Sequence, residues 1–169
     1  LIEGISQFAG DMSALMGGLS EEKSAGEWSF PPLPGVPKEL ASIESLVGGK
    51  TLLNRDYTAD NLIREFKAHE YTILHIATHG IFGGASEETF LLTYDGKLTM
   101  DSLEKLIGFG RYRKKKVNLL TLSACETAQG DERAAFGLAG IAVKAGVSSA
   151  IATLWPVDDS ATFQLISEF

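Results

Sequence analysis

The sequence predicts an α/β protein built on a mostly parallel central sheet with helices on both faces and a small β-hairpin on one strand. Three observations predict it. Thr72 to Thr78 and Val117 to Leu122 are near-continuous apolar runs of strand length, as strands covered on both faces should be. Segments of helical spacing separate the apolar runs, so strand and helix alternate almost throughout. The 169 residues suffice for one domain with a sizeable core, and no internal repeat or low-complexity stretch divides them.

In chain order, Leu1 to Ser6 reads as a short strand. Residues 8–35 are glycine-rich and polar with no clear period, so they read as a mobile loop, with one helical turn around Met12 to Met16. Pro31 to Gly35 is a turn-rich connector. Pro37 starts a helix with Leu40, Ile43, Leu46 and Val47 on one face, stopped by Gly48-Gly49. Lys50 to Asn54 is the next strand. Thr58 caps a helix that buries Leu62, Ile63 and Phe66. After the strand Thr72 to Thr78 and the Gly83-Gly84 loop, Phe90 to Met100 forms the hairpin, turning at Asp95-Gly96. Thr99 caps a helix over 101–107, and a basic loop leads into the strand of Val117 to Leu122. Ala134 to Gly146 is a helix of small residues suited to lying close on a sheet. Ser148 to Trp155 is a last buried strand, broken by Pro156, and Asp158 opens a final helix that the chain leaves unfinished at Phe169. The sequence therefore reads as an excised piece, truncated at its C-terminus.

The totals exclude several functions. A net charge of −7 argues against general affinity for nucleic acid or anionic membrane. One cysteine forms no internal disulfide, and with three scattered histidines it gives no metal-ligand spacing, so no cofactor or metal is expected. This cysteine usage fits a reducing cytoplasm. No apolar run approaches the ~20 residues of a membrane span. The basic run Arg111 to Lys116 reads as a solvated loop. Gly48 to Thr51 precedes a strand instead of opening a helix, so it is no phosphate loop.

The chemistry concentrates on two strand ends. Ser123-Ala124-Cys125-Glu126-Thr127 passes from apolar to polar at the thiol, which suits a nucleophile that is held yet reachable; the plainer alternative is a small buried hydrophobe. His79 ends its strand before Gly80, where an imidazole can raise the thiolate fraction of Cys125. The backbone N–H groups of Gly80 and Cys125 are candidate donors to an oxyanion. His75, in mid-strand, reads as a sheet-face histidine with a satisfied ring nitrogen, and His69 as a favourable charge at a helix end. Asp158 and Asp159 read equally as helix N-cap residues or as carboxylates flooring a pocket for a basic side chain, with Trp155 as wall or core.

Together, ILHIATHG, LLTLSACETAQG and GLAGIAVKAGVSSAIATLWPVDDSAT resemble the CHAT domain, a caspase-like group of clan CD cysteine peptidases that includes separase. The resemblance runs from about Leu33 to the end, and from Leu1 if IEGISQF is the first strand. It implies a caspase-like three-layer sandwich over residues 1–169, with His79 and Cys125 as a catalytic dyad, the backbones of Gly80 and Cys125 as oxyanion donors, and no third catalytic side chain. Trp155-Pro156-Val157-Asp158-Asp159 resembles the Trp-Asp-Val-Thr-Asp stretch of separases, which cut after arginine; this implies Asp159, then Asp158, in a pocket for a basic P1 residue. The implied partner is a polypeptide substrate. A TPR or other sensor module is implied elsewhere in the parent protein, since the ~34-residue TPR period is absent here. The rival expectations are a non-cleaving signalling or scaffold module that retains the dyad, and a Cys-dependent acyl transferase or amidase on a similar sheet.

Overall fold

The structure, a computed structural model, describes residues 12–26, 28–81, 89–126 and 144–152. In chain order its elements are β1 (Ala14–Gly18), β2 (Lys23–Ala25), β3 (Trp28–Phe30), α1 (Val36–Val47), β4 (Gly49–Leu53), α2 (Ala59–Ala68), β5 (Ile73–Ile81), β6 (Phe90–Leu92), β7 (Lys97–Thr99), α3 (Met100–Phe109), β8 (Leu119–Glu126) and β9 (Ser149–Ala152). The expected strand at Leu1 to Ser6, the Gly83-Gly84 loop, most of the small-residue helix before Gly146, and everything from Thr153 onward lie outside the described residues.

The sheet has seven strands among the described residues. Its body is parallel, in the order β4-β1-β5-β8-β9. Beyond the end of β1, the last two residues of β5 pair antiparallel with β6, which pairs in turn with β7 across the turn at Asp95-Gly96. Side-chain alternation along the strands sorts residues onto two faces. Leu15, Leu74, Ile76, Leu120 and Leu122 join Leu62 and Phe66 of α2 and Leu103, Leu106 and Ile107 of α3 in the larger core. Ala14, Met16 and Ala77 face the other way, onto Val36 and Leu40 of α1. The result is a helix–sheet–helix sandwich, and β5 reads as an apolar run because both of its faces are covered.

Local chemistry sets the helix ends. The hydroxyls of Thr58 and Thr99 accept from the backbone N–H groups of Asn61 (3.1 Å) and Ser102 (3.3 Å), capping α2 and α3. Within the basic run, Arg113 has a structural job: its guanidinium donates to the carbonyls of Phe66 (2.7 Å), Lys67 (2.7 Å) and His69 (2.6 Å), satisfying the open end of α2. No helix among the described residues is long and apolar enough to cross a membrane.

Two expectations are corrected. Residues 8–35 do not form one mobile loop with a helical turn at Met12 to Met16. Ala14 to Gly18 is instead a fully buried central strand between β4 and β5, and Lys23–Ala25 pairs with Trp28–Phe30 in a two-stranded ribbon. Lys23 Nζ lies 3.3 Å from the centre of the Tyr94 ring, tying the ribbon to the turn after β6. The glycines that mimic a loop are there for close packing. A Cβ on Gly17 would run into the buried Tyr57 ring, and one on Gly18 would come within 2.7 Å of Leu40 and Val36 side-chain carbons. On α1 the expected apolar face is also shifted: Leu46 is 72% exposed, while Glu39 is 2% exposed and faces the sheet.

Gly17→Ala should therefore destabilise the fold by roughly 1–3 kcal/mol through overpacking, read as a lower urea midpoint. Gly96→Ala, with open space around the added methyl, should stay within about 0.5 kcal/mol of the parent.

Candidate active site

The site is positioned by one parallel pairing. β5 and β8 are neighbours, in register from Ile73↔Leu119 to Gly80↔Glu126, and within that ladder His79 stands opposite Cys125. Adjacent strands run about 4.8 Å apart, so the imidazole-bearing and thiol-bearing residues occupy one row on adjoining strands. Of the expected site residues, the structure brings together His79, Gly80 and Cys125; Asp158, Asp159 and Trp155 lie outside the described residues.

Contrary to expectation, His79 does not end its strand. β5 continues through Gly80 to Ile81, because β6 adds to it there with Gly80↔Leu91 and Ile81↔Phe90. Gly80, expected to present an accessible backbone N–H past the strand end, is buried between β6 and β8.

The His79 ring is 2% exposed. Its Nε2 lies 2.7 Å from the carbonyl oxygen of Pro31, and its ring centre 5.2 Å from that of Phe30 at an interplanar angle of 37°. A carbonyl oxygen only accepts, so Nε2 carries the proton. The neutral ring then keeps its lone pair on Nδ1, the tautomer being fixed by the bond that the other nitrogen makes. The segment that follows β3 thus does for His79 what a carboxylate does in many catalytic pairs: it orients the ring and would stabilise the imidazolium. Sequence reasoning missed this group because a main-chain carbonyl has no residue-type signature.

A second polar group lies deeper on the same face. Alternation puts His75, Ala77 and His79 on one side of β5, and α1 covers that side. His75 Nε2 approaches Glu39 Oε1 at 2.8 Å, with side chains 1% and 2% exposed. The contact is at ion-pair distance but is not aligned as a hydrogen bond. The Ser123 hydroxyl donates to the other oxygen, Oε2, at 3.4 Å. A carboxylate so deeply buried needs such partners. The sequence signal was available in both halves: a glutamate on the stripe of Val36, Leu40 and Ile43, and a mid-strand histidine with no assigned partner.

Among the described residues, no three His, Cys, Asp or Glu side chains gather as a metal set. A cavity of about 400 Å³ is bordered by Glu104 of α3, by Arg111 and by Lys144, and none of the expected site residues lines it.

The model of the CHAT domain family matches residues 4–169. No curated protein matches the chain. Among solved structures, the crystal structure of protein GSU0716 from Geobacter sulfurreducens is similar at 15% identity, with a TM-score of 0.45 over 70% of this chain and 51% of that one. The chain thus spans about half the length of that protein's chain.

A long-range ¹H–¹⁵N correlation spectrum recorded where His79 is neutral should show its proton on Nε2. A proton on Nδ1 would be incompatible with the bond to Pro31.

Proposed function

Since the chain belongs to the CHAT domain family, a caspase-like clan CD group associated with cysteine peptidases, we propose that it is a cysteine endopeptidase working through a His79–Cys125 dyad. The single observation that carries this reading is the register of β5 against β8, which sets the two residues side by side on parallel strands.

The Cys125 thiol first gives its proton to Nδ1 of His79, and the resulting thiolate attacks the scissile carbonyl carbon, forming the C–S bond and moving the carbonyl electron pair onto oxygen. The N–H of Cys125 is one donor to that oxyanion. Gly80 is the other, and alternation along β5 turns its N–H toward β8, the strand that carries Cys125. As the C–N bond breaks, His79 gives a proton from Nδ1 to the leaving amine, while Nε2 stays bonded to Pro31. The neutral ring then takes a proton from water, whose oxygen attacks the thioester carbon and releases the acid and the thiol. Asp159, with Asp158 beside it, forms a pocket that selects a basic P1 side chain. The substrate is a polypeptide, the compartment is the cytoplasm, and a TPR or other sensor module elsewhere in the parent protein supplies control.

A second reading is favoured by the burial of His79 beneath Phe30 and Pro31. A pair so covered suits a signalling or scaffold module that retains the dyad and does not cleave.

Cys125→Ala or His79→Ala should each lower hydrolysis of a reporter peptide with arginine or lysine at P1 by at least ~10²-fold, with circular dichroism unchanged. Asp159→Asn should weaken the preference for a basic over a neutral P1 residue by about tenfold or more. A thiol-reactive peptide bearing P1 arginine should label Cys125 only when His79 is present. No labelling of the parent chain would favour the scaffold reading, and labelling indifferent to P1 a generic thiol enzyme.

A further inference from the structure

We propose that Glu39 is a positioning residue for the dyad: its carboxylate staples α1 to both strands that carry His79 and Cys125. The inference rests on the Cys–His reading above and adds a residue to it that touches neither reacting atom.

One carboxylate reaches two strands. Oε1 meets His75 of β5 at 2.8 Å, and Oε2 accepts from Ser123 of β8 at 3.4 Å. His75 precedes His79 by four residues on the same face of β5, and Ser123 precedes Cys125 by two on β8. On that face of the sheet the row Ala77↔Ser123 is followed next by His79↔Cys125. The staple therefore sits directly below the dyad, across the same strand pair. Its helix is also continuous with the segment that orients His79. Val36 N–H donates to Leu33 O (3.2 Å) and Leu33 N–H to Ser20 O (3.0 Å), so the short stretch from Pro31 to α1 is held as α1 is held. Where Glu39 seats α1, the Pro31 carbonyl meets Nε2 of His79.

Stability alone gives a poor account of the arrangement. A carboxylate taken from water to 2% exposure carries a desolvation cost that an apolar side chain of similar size would not, and replacing buried ionic clusters by hydrophobic residues is often neutral or better. The rest of the α1 interface is apolar (Val36 and Leu40 on Met16 and Ala77), and such contacts are non-directional. A polar staple has one good geometry and fixes the register. Reacting groups lose on the order of 10²-fold in rate when displaced by ~1 Å, which gives that fixity a use.

The test reads the reactivity of the chain's one cysteine: iodoacetamide alkylation of Cys125 from pH 5 to 9 in the parent, His79→Ala, Glu39→Gln and the apolar double variant Glu39→Met with His75→Leu. Urea unfolding and the His79 Nε2–H signal are recorded in parallel. The proposal expects Glu39→Gln and the double variant to stay folded at 25 °C, to lose or shift the Nε2–H signal, and to alkylate roughly ten- to a hundredfold more slowly near neutral pH. Parent-like alkylation and an unmoved Nε2–H signal in the double variant, alongside slowed alkylation in His79→Ala, would overturn the role of Glu39 and leave the dyad standing. Unchanged alkylation in His79→Ala would remove the dyad itself, and this inference with it. If Glu39→Gln fails to fold, Ser123→Ala, which loses only the bond to β8, serves in its place with the same two outcomes.

Discussion

The pairing of β5 with β8 is the constraint on which the rest depends. Strand side chains alternate with a period of two, so a slip of one residue would move every side chain of β8 to the opposite face. That slip is forbidden by burial on both sides at once. Leu120 and Leu122 go into the larger core beside Leu74 and Ile76, while Thr121 and Ser123 fall on the face that α1 covers. The hydrophobic pattern that sets the register also sets His79 opposite Cys125. The register that builds the fold thus also sets the row of the proposed dyad.

Close approach makes the next level work. α1 reaches the sheet because Gly18 and Ala77 offer almost no bulk beneath Val36 and Leu40. Had β1 carried larger side chains, the helix would stand farther off and Glu39 would fall short of His75 and Ser123. The segment before α1 would then not hold the Pro31 carbonyl at 2.7 Å from the imidazole. Two small residues, neither of them polar, thus support the polar geometry on that side of the sheet.

Much of this was legible in the sequence wherever one residue type has one job. Thr58 and Thr99 announce helix starts because a hydroxyl at that position has few better uses. The apolar runs of β5 and β8 announce doubly covered strands, and their ends mark the candidate residues. What the sequence hid were features whose meaning depends on a distant neighbour. Gly17 and Gly18 look like loop residues until the Tyr57 ring and α1 are known to press on them. Glu39 lies on the stripe of Val36, Leu40 and Ile43, but nothing local names the His75 and Ser123 that become its partners. Pro31 acts through a carbonyl that every residue possesses. His79 was expected at an open strand end because nothing local says that β6 will add to Gly80 and Ile81.

That last difference bears on the proposed peptidase reading. Side chains on paired strands are held more tightly than side chains on loops, which suits proton transfer over a fixed distance. The same pairing leaves His79 at 2% exposure, beneath the ring of Phe30 and bonded to Pro31. On the peptidase reading proposed above, a polypeptide reaches an imidazole so enclosed only when some element gives way. The Pro31 carbonyl is a poor candidate, since losing it would free the ring to reorient and spoil the tautomer. The pairing of β5 with β6 is the better one, because it spans only Gly80↔Leu91 and Ile81↔Phe90 while β5 meets β1 and β8 over longer ladders. On that reading, long parallel ladders hold the geometry and the short antiparallel edge yields, which separates two demands that a single uniform sheet would set in conflict.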